Sequence, residues 1–265
     1  MCNERTAAED ESFLRGKDIS RRAFGVMSAA ALAACATSPA DAKSVSESDV
    51  LIKTADGVCD AHFVHPASGK HPGVLVWPDA LGMRPAFRTM GRRLAESGYA
   101  VLTVNQFYRD SKAPYLPEGA SFSDPVIRDK VMKTMGAFTP DLQMRDIPTF
   151  VDWLDAQSAV DTKKKLGTTG YCMGGALTMR TAALKPERVG AGASFHGGGL
   201  ATDKPDSPHL LVPKIKAKYL VAVAENDDAA EPAAKDVLRA AFAAANNPAE
   251  IEVYPAQHGW CAIDS

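Results

Sequence analysis

The sequence predicts an α/β fold in which helices cover both faces of a mostly parallel central sheet. Short β-branched runs alternate with segments whose apolar residues recur at helical spacing, and glycine or proline separates the two kinds. Such alternation is typical of βαβ units, because parallel neighbours need a crossover connection that a helix usually provides. The chain has 265 residues, 46% of them hydrophobic and 23% charged, as in a soluble globular protein.

The strands are recognised first. “GVLVWPD” (73–79) is a short β-branched run that a proline ends, which is typical of a buried strand. Similar runs predict the others in chain order: “AVLTVN” (100–105), “KLGTTGY” (165–171), “VGAGASFHGGG” (189–199), “KAKYLVAVAEND” (216–227) and “AEIEVYPAQHG” (249–259). We see no internal repeat and no break in composition after residue 49, so one domain is expected over residues 50–265.

Helices are predicted between these strands. In the first helical segment the apolar residues share one face: Phe87, Met90, Leu94 and Ala95. The next segment has Thr139 as its N-cap and Pro140 at its first helical position, which favours a helix start there. Its apolar residues form one stripe: Ile147, Phe150, Val151 and Leu154. “MGGALTMRTAAL” (173–184) and the alanine-rich residues 232–246 predict two further helices.

Charge and composition exclude several classes of protein. A net charge of −2 gives no basic face for nucleic acid. No apolar run reaches the about 18 residues that a membrane-spanning helix needs. The five cysteines form no CxxC pair and no cluster with zinc-ligand spacing. His62 and His65 belong to a strand, where a three-residue spacing points them to opposite faces. We therefore expect no metal and no cofactor.

Residues 1–49 are interpreted as an export signal and a linker. “SRRAFGVMSAAALAAC” (20–35) puts an arginine pair before an alanine-rich apolar stretch and resembles a twin-arginine signal. Its end, “LAAC”, resembles the box at which bacterial lipoproteins are lipidated, here on Cys35, while “ADA” (40–42) offers a cleavage site instead. The protein is expected to be periplasmic or tethered to the periplasmic side of the membrane. The alternative is a cytoplasmic protein with a chance arginine pair, since acidic residues 9–11 are unusual for a signal.

“GYCMGG” (170–175) lies where a predicted strand ends and a helix begins, and it has the form of a nucleophile elbow. Glycines two positions either side of Cys172 would relieve the clashes of so tight a turn. The helix N-terminus favours a thiolate there, and the amide of Met173 would face the developing oxyanion. The alternative is a buried structural cysteine.

A nucleophile of this kind needs a carboxylate and a histidine further along the chain. The strand before residue 225 leads into “ENDD”, and the last strand leads into “YPAQHGW” with His258 in a loop. Each candidate follows a different strand, where site residues of open α/β sheets lie. The sequence therefore predicts a triad of Cys172, a carboxylate at Asp227 or Asp228, and His258.

From about residue 50 to the end, the sequence resembles the dienelactone hydrolase family of α/β-hydrolases, whose elbow reads G-x-C-x-G-G. The resemblance implies that Asp227 is the triad acid, because “AEND” (224–227) matches the family's G-x-x-D with alanine for glycine. It implies a second oxyanion donor at the amide of Ala80. The family's thiol-activating glutamate corresponds to Asp79, which is one methylene shorter.

Other residues were weighed for a role in the site. His196 in “SFHGGG” follows the nucleophile in the chain, so it is expected to line the pocket and not to act in the triad. Arg109 and Arg128 are either holders of an acidic substrate group or, as we favour, solvated surface residues. Cys59 and Cys261 are given no role.

The sequence therefore predicts a hydrolase of lactones or esters that acts through a thioester acyl-enzyme on a small-molecule substrate. Two alternatives remain open: a broad carboxylesterase or acyltransferase with the same triad, and an exported binding protein whose site has decayed. Only seven residues follow His258, whereas this fold usually ends with another helix, so that helix is expected to be missing.

Overall fold

The computed structural model describes residues 42–264. Its eight strands form one sheet in the order β1-β2-β4-β3-β5-β6-β7-β8. The strands are β1 (Val45–Thr54), β2 (Gly57–Pro66), β3 (Gly73–Trp77), β4 (Ala100–Val104), β5 (Leu166–Tyr171), β6 (Val189–Phe195), β7 (Lys218–Ala224) and β8 (Ala249–Tyr254). The helices are α1 (Pro85–Glu96), α2 (Pro125–Ala137), α3 (Pro140–Asp155), α4 (Gly174–Leu184), α5 (Glu225–Ala230) and α6 (Ala234–Ala244), and Pro208–Lys214 form a 3₁₀ helix.

The sheet is mostly parallel, as the sequence predicted. β1 pairs antiparallel with β2 and β2 antiparallel with β4, whereas every pairing from β4 to β8 is parallel. The carboxyl ends of β3, β5, β6, β7 and β8 therefore meet at one edge. The loops after these strands supply the functional site.

Apolar side chains of the central strands alternate between the two faces of the sheet. On β3, Leu75 and Trp77 join a cluster that includes α3 and α4, while Val74 and Val76 join a second cluster that includes α1. Such alternation follows from the period of two along a strand, and both faces of the sheet are covered.

The structure differs from the sequence-based expectation in three elements. β1 begins at Val45, five residues before the expected domain boundary, so the start of the sheet lies in what was interpreted as linker. The residues of helix α2 were expected to form a loop, because no apolar stripe marks them in the sequence. In the structure only two side chains of this helix, Val131 and Thr134, are buried. The strand predicted from residues 216–227 ends at Ala224, and Asp227 lies within the short helix α5.

The remaining expectations concern the ends of the chain. The arginine pair and Cys35 lie outside the described residues, so export and lipidation stay predictions. After β8 the described residues form turns and no helix, and Cys261 and Ile263 pack on the cluster beside α1. Among residues 42–264 no helix has the length and apolarity to cross a membrane.

Candidate active site

Cys172 occupies a sharp turn between β5 and α4. Its φ of 53° lies in the left-handed region that non-glycine residues rarely adopt. The turn is held by the Cys172 amide, which donates to the carbonyl oxygen of Phe195 and to Nδ1 of His196, each at 3.1 Å. The amide of Gly175 donates back to the Cys172 carbonyl at 3.0 Å. The half-buried thiol thus sits at the start of α4, on a strained backbone that its neighbours fix.

The glycines around Cys172 are required by close backbone approach. A Cβ on Gly170 would lie 2.1 Å from the carbonyl oxygen of Gly174, and one on Gly174 would lie 2.4 Å from that of Trp77. A Cβ on Gly175 would lie 2.2 Å from the hydroxyl of Ser194. Any side chain at these positions would push the elbow away from the neighbouring strands. The glycine pattern of the sequence therefore has the steric cause expected of it.

The structure brings His258 and Asp227 together. His258 Nδ1 donates to the Asp227 carboxylate, at 2.8 Å to Oδ2 and 3.0 Å to Oδ1. The His258 amide donates to the side-chain oxygen of Asn226 at 2.8 Å, which fixes the loop that carries the imidazole. Asp228 instead pairs with Lys235 at 2.6 Å. Of the two aspartates that the sequence offered, Asp227 therefore contacts the histidine.

The Cys172 side chain lies close enough to the His258 ring to influence its protonation. Since Nδ1 faces Asp227, Nε2 is the atom available to the sulfur. The interaction with the Cys172 side chain is the largest influence that raises the pKa of His258 to about 9; Asp227 adds to it, and burial opposes it. The surroundings of His258 therefore favour its protonated form.

Two backbone amides next to Cys172 have no partner. Neither the Met173 amide nor the Ala80 amide donates to any described residue. Gly174 packs directly on the carbonyls of Trp77 and Pro78, so the turn after β3 lies against the elbow. The role of the two amides as oxyanion donors stays a prediction.

Asp79 does not contact the thiol in this structure. Its buried carboxylate is bound at both oxygens by the guanidinium of Arg84, at 2.7 and 2.9 Å, and Oδ1 also accepts from the Leu81 amide. Arg84 binds the carboxylate of Asp264 with its other edge. The expected contact between Asp79 and Cys172 is thus absent, because a charge-assisted bidentate pair holds the short side chain elsewhere. The sequence analysis did not identify Arg84 as a partner.

His196 lines the site from the end of β6. Its side chain is buried, with a φ of 42°, and its ring centroid lies 4.8 Å from that of His258 and 5.3 Å from that of Trp260. Burial, with the positive charge of nearby His258, lowers the pKa of His196 to about 3. Nδ1 accepts from the Cys172 amide, so the proton of the neutral ring is on Nε2, which has no partner among the described residues.

The two arginines weighed as substrate holders differ in their surroundings. Arg109 is half-buried and bound by the carboxylates of Asp56 and Asp146. Arg128 is exposed on α2. His62 contacts Glu47, and no group of three or more potential metal ligands occurs within residues 42–264.

The strand order, the nucleophile elbow and the placement of loops at the carboxyl edge define an α/β-hydrolase. The comparisons with known proteins give the family. Residues 59–265 match the model of the dienelactone hydrolase family, so the chain belongs to that family and is an enzyme of the lactone and ester hydrolase class.

The chain is 29% identical over 229 residues to a protein of Methylorubrum extorquens provisionally named a carboxymethylenebutenolidase, with 84% of this chain and 75% of that protein covered. It is 26% identical over 195 residues to the carboxymethylenebutenolidase of Rhodococcus opacus, with 72% and 71% covered. A crystal structure of a provisionally named dienelactone hydrolase from Klebsiella pneumoniae superposes with a TM-score of 0.71 at 22% identity, over 84% of this chain and 91% of that one.

Proposed function

We propose that the protein hydrolyses lactones or activated esters through a covalent thioester on Cys172, with His258 as general base and acid and Asp227 as its orienting carboxylate. The observation that carries the proposal is the position of the His258 ring, which hydrogen-bonds with Asp227 and lies beside the Cys172 side chain. A nucleophile, a base and an orienting group in contact are the signature of covalent acyl transfer.

The proposed reaction has two halves. His258 takes the thiol proton, and the thiolate attacks the carbonyl carbon while the amides of Met173 and Ala80 donate to the oxyanion. Collapse breaks the acyl–oxygen bond, and the leaving oxygen takes the proton from His258. A water then gives a proton to His258 and attacks the thioester; collapse releases the acid, and the proton returns to the sulfur.

The chemistry of sulfur points to the substrate class. A thiolate is a good leaving group, so a tetrahedral adduct with a poor leaving group reverts to the starting ester. Activated esters, enol lactones and thioesters are therefore favoured over amides. The name carboxymethylenebutenolidase, which relatives carry, denotes hydrolysis of such a lactone and supports a dienelactone as the first substrate to test.

The test compares wild type with Cys172→Ala on p-nitrophenyl acetate and on a dienelactone. We expect turnover of both by wild type and a loss of at least about 10³-fold in the variant, because a triad loses nearly all its advantage with its nucleophile. Cys261→Ala, which removes another half-buried cysteine that forms no disulfide, is the matched control and should stay near wild type.

The outcomes separate the alternatives. A preference for the dienelactone supports the lactonase, and a preference for simple esters supports a broad carboxylesterase with the same triad. Equal, uncatalysed rates in wild type and Cys172→Ala would contradict the proposal and favour the alternative of a binding protein whose site has decayed.

We also propose that residues 1–49 export the chain and that Cys35 carries a lipid, on the sequence pattern alone. Cell fractionation of the full chain should place wild type outside the cytoplasm and Arg21→Lys/Arg22→Lys inside it. Incorporation of labelled palmitate that is lost in Cys35→Ala would support the lipid anchor. A wild-type chain found wholly in the cytoplasm would contradict both.

A further inference from the structure

The turn after β3 is held by a residue to which the sequence analysis gave no role. Gln106 lies just after β4, and only 1% of its surface is exposed. Its side-chain amide Nε2 donates to the carbonyl oxygen of Asp79 at 2.9 Å and to that of Pro78 at 3.2 Å. Both acceptors lie immediately before Ala80, whose amide is the proposed oxyanion donor.

The link from Gln106 to the Ala80 amide is covalent and rigid. The carbonyl of Asp79 and the amide N–H of Ala80 belong to the same peptide unit, which is planar and trans, so fixing the oxygen fixes the direction of the N–H. The same oxygen also accepts from the Gly82 amide at 3.0 Å. Donation to the carbonyl polarises the peptide and makes its N–H a stronger donor.

The next peptide unit is held from the other side. The hydroxyl of Tyr115 donates to the carbonyl oxygen of Ala80, and Lys130 on α2 donates to the carbonyl of Tyr115 at 2.8 Å. Side-chain hydrogen bonds therefore hold the peptide units on both sides of Ala80. Of these two side chains, only Gln106 binds the peptide unit that contains the Ala80 N–H.

The surroundings of Gln106 point to its Nε2 as the functional atom. The other amide atom, Oε1, is buried and has no partner among the described residues. Gln106 therefore contacts the turn after β3 through Nε2 alone. The orientation of the amide is settled by its two neighbours, since both are carbonyl oxygens and require a donor.

We propose that Gln106 is a positioning residue of the oxyanion hole, which orients and polarises the Ala80 amide through the Asp79 carbonyl. The proposal rests on the proposed function, because it assigns Ala80 a role in that reaction. Gln106 does not touch the substrate; it acts on the transition state through one peptide unit.

The test is Gln106→Met, which keeps the length and flexibility of the side chain and removes the amide. Loss of an oxyanion donor typically costs about 10²–10³ in kcat, and a residue that acts through the donor should cost less, about ten-fold. KM should change little, because the interaction strengthens only in the transition state. The matched control is Gln143→Met: Gln143 also donates Nε2 to a backbone carbonyl and has a buried, unpartnered Oε1, but it lies on α3.

A second readout separates positioning from a general structural effect. Alkylation by iodoacetamide forms the S–C bond of Cys172 as iodide leaves, with no oxyanion, so its rate reports the thiolate alone. Gln106→Met should alkylate at the wild-type rate while its kcat falls. A kcat within two-fold of wild type, or equal losses in kcat and in alkylation rate, would overturn the proposal.

Gln106→Glu keeps the proposal testable if the methionine variant does not fold. A protonated carboxyl can donate to the Asp79 carbonyl and an ionised one cannot, so the ratio of variant to wild-type kcat should fall as pH rises. A ratio that does not change with pH would count against the role. Failure of the proposed function is distinguishable, because Cys172→Ala would then be as active as wild type.

Discussion

His196 is a buried imidazole that touches both sides of the candidate site. It accepts from the Cys172 amide and lies beside the His258 ring, whose charge, with burial, keeps its pKa at about 3. A histidine in an unfolded chain titrates near 6.5. Between these values the unfolded chain binds a proton that the folded chain does not bind, so the free energy of unfolding falls as pH falls from about 6.5 towards 3.

We therefore expect His196→Asn to lose less stability than wild type on acidification. Asparagine tolerates a positive φ and keeps an acceptor for the Cys172 amide. One proton difference corresponds to about 1.4 kcal/mol per pH unit, which bounds the difference in slope between the two proteins. Urea unfolding at pH 4, 5, 6 and 7 measures it, with His71→Asn as control, since His71 is half-buried and its ring contacts the carbonyl of Ser68. Equal slopes in wild type and His196→Asn would contradict the assignment.

At the residue scale, the candidate site residues that could be predicted are those with a recognisable local sequence pattern around them. Cys172 stands among glycines, and Asp227 and His258 follow strands, so local pattern was enough to name them. Arg84 and Gln106 were missed because no sequence motif marks their contacts. Arg84 binds a buried carboxylate, and Gln106 binds two backbone carbonyls. No sequence pattern distinguishes a glutamine that binds a carbonyl from one in solvent.

At the scale of elements, strands and helices with a regular apolar period were predicted with ends close to those observed. The period failed for α2, in which the apolar side chains of Val126 and Met132 are exposed. The sequence nevertheless contains a signal for its start. Asp124 caps the helix by accepting from the amide of Val126, and Pro125 occupies the first helical position. A capping signal was thus more informative here than hydrophobic periodicity.

The elbow is the element on which geometry and sequence agree most closely. The three glycines at 170, 174 and 175 each lack room for a Cβ, whereas Gly136 on α2 has nothing within 4 Å. Close approach, and not flexibility, therefore explains the glycines beside Cys172. The turn after β3 packs on the elbow through one of them, Gly174.

At the scale of the whole molecule, one ion-pair network joins distant parts of the chain. Arg84, just before α1, binds Asp79 after β3 and Asp264 after β8, so it connects the turn that carries Ala80 with the segment that follows His258. The two carboxylates differ in exposure: 9% of the Asp79 side chain is exposed and 42% of that of Asp264. The buried member and the exposed member should therefore contribute very differently to stability.

We expect Asp264→Asn to lower the free energy of unfolding by about 0–1 kcal/mol, the range of exposed ion pairs. Arg84→Gln should cost about 3–5 kcal/mol, because it leaves the Asp79 carboxylate buried without a partner. In Arg84→Gln/Asp79→Asn neither charge stays buried, so part of the loss should return. Urea unfolding at pH 7 measures all three variants. Equal costs for Arg84→Gln and Asp264→Asn would contradict this assignment and show that the Asp79 carboxylate is hydrated when Arg84 is absent.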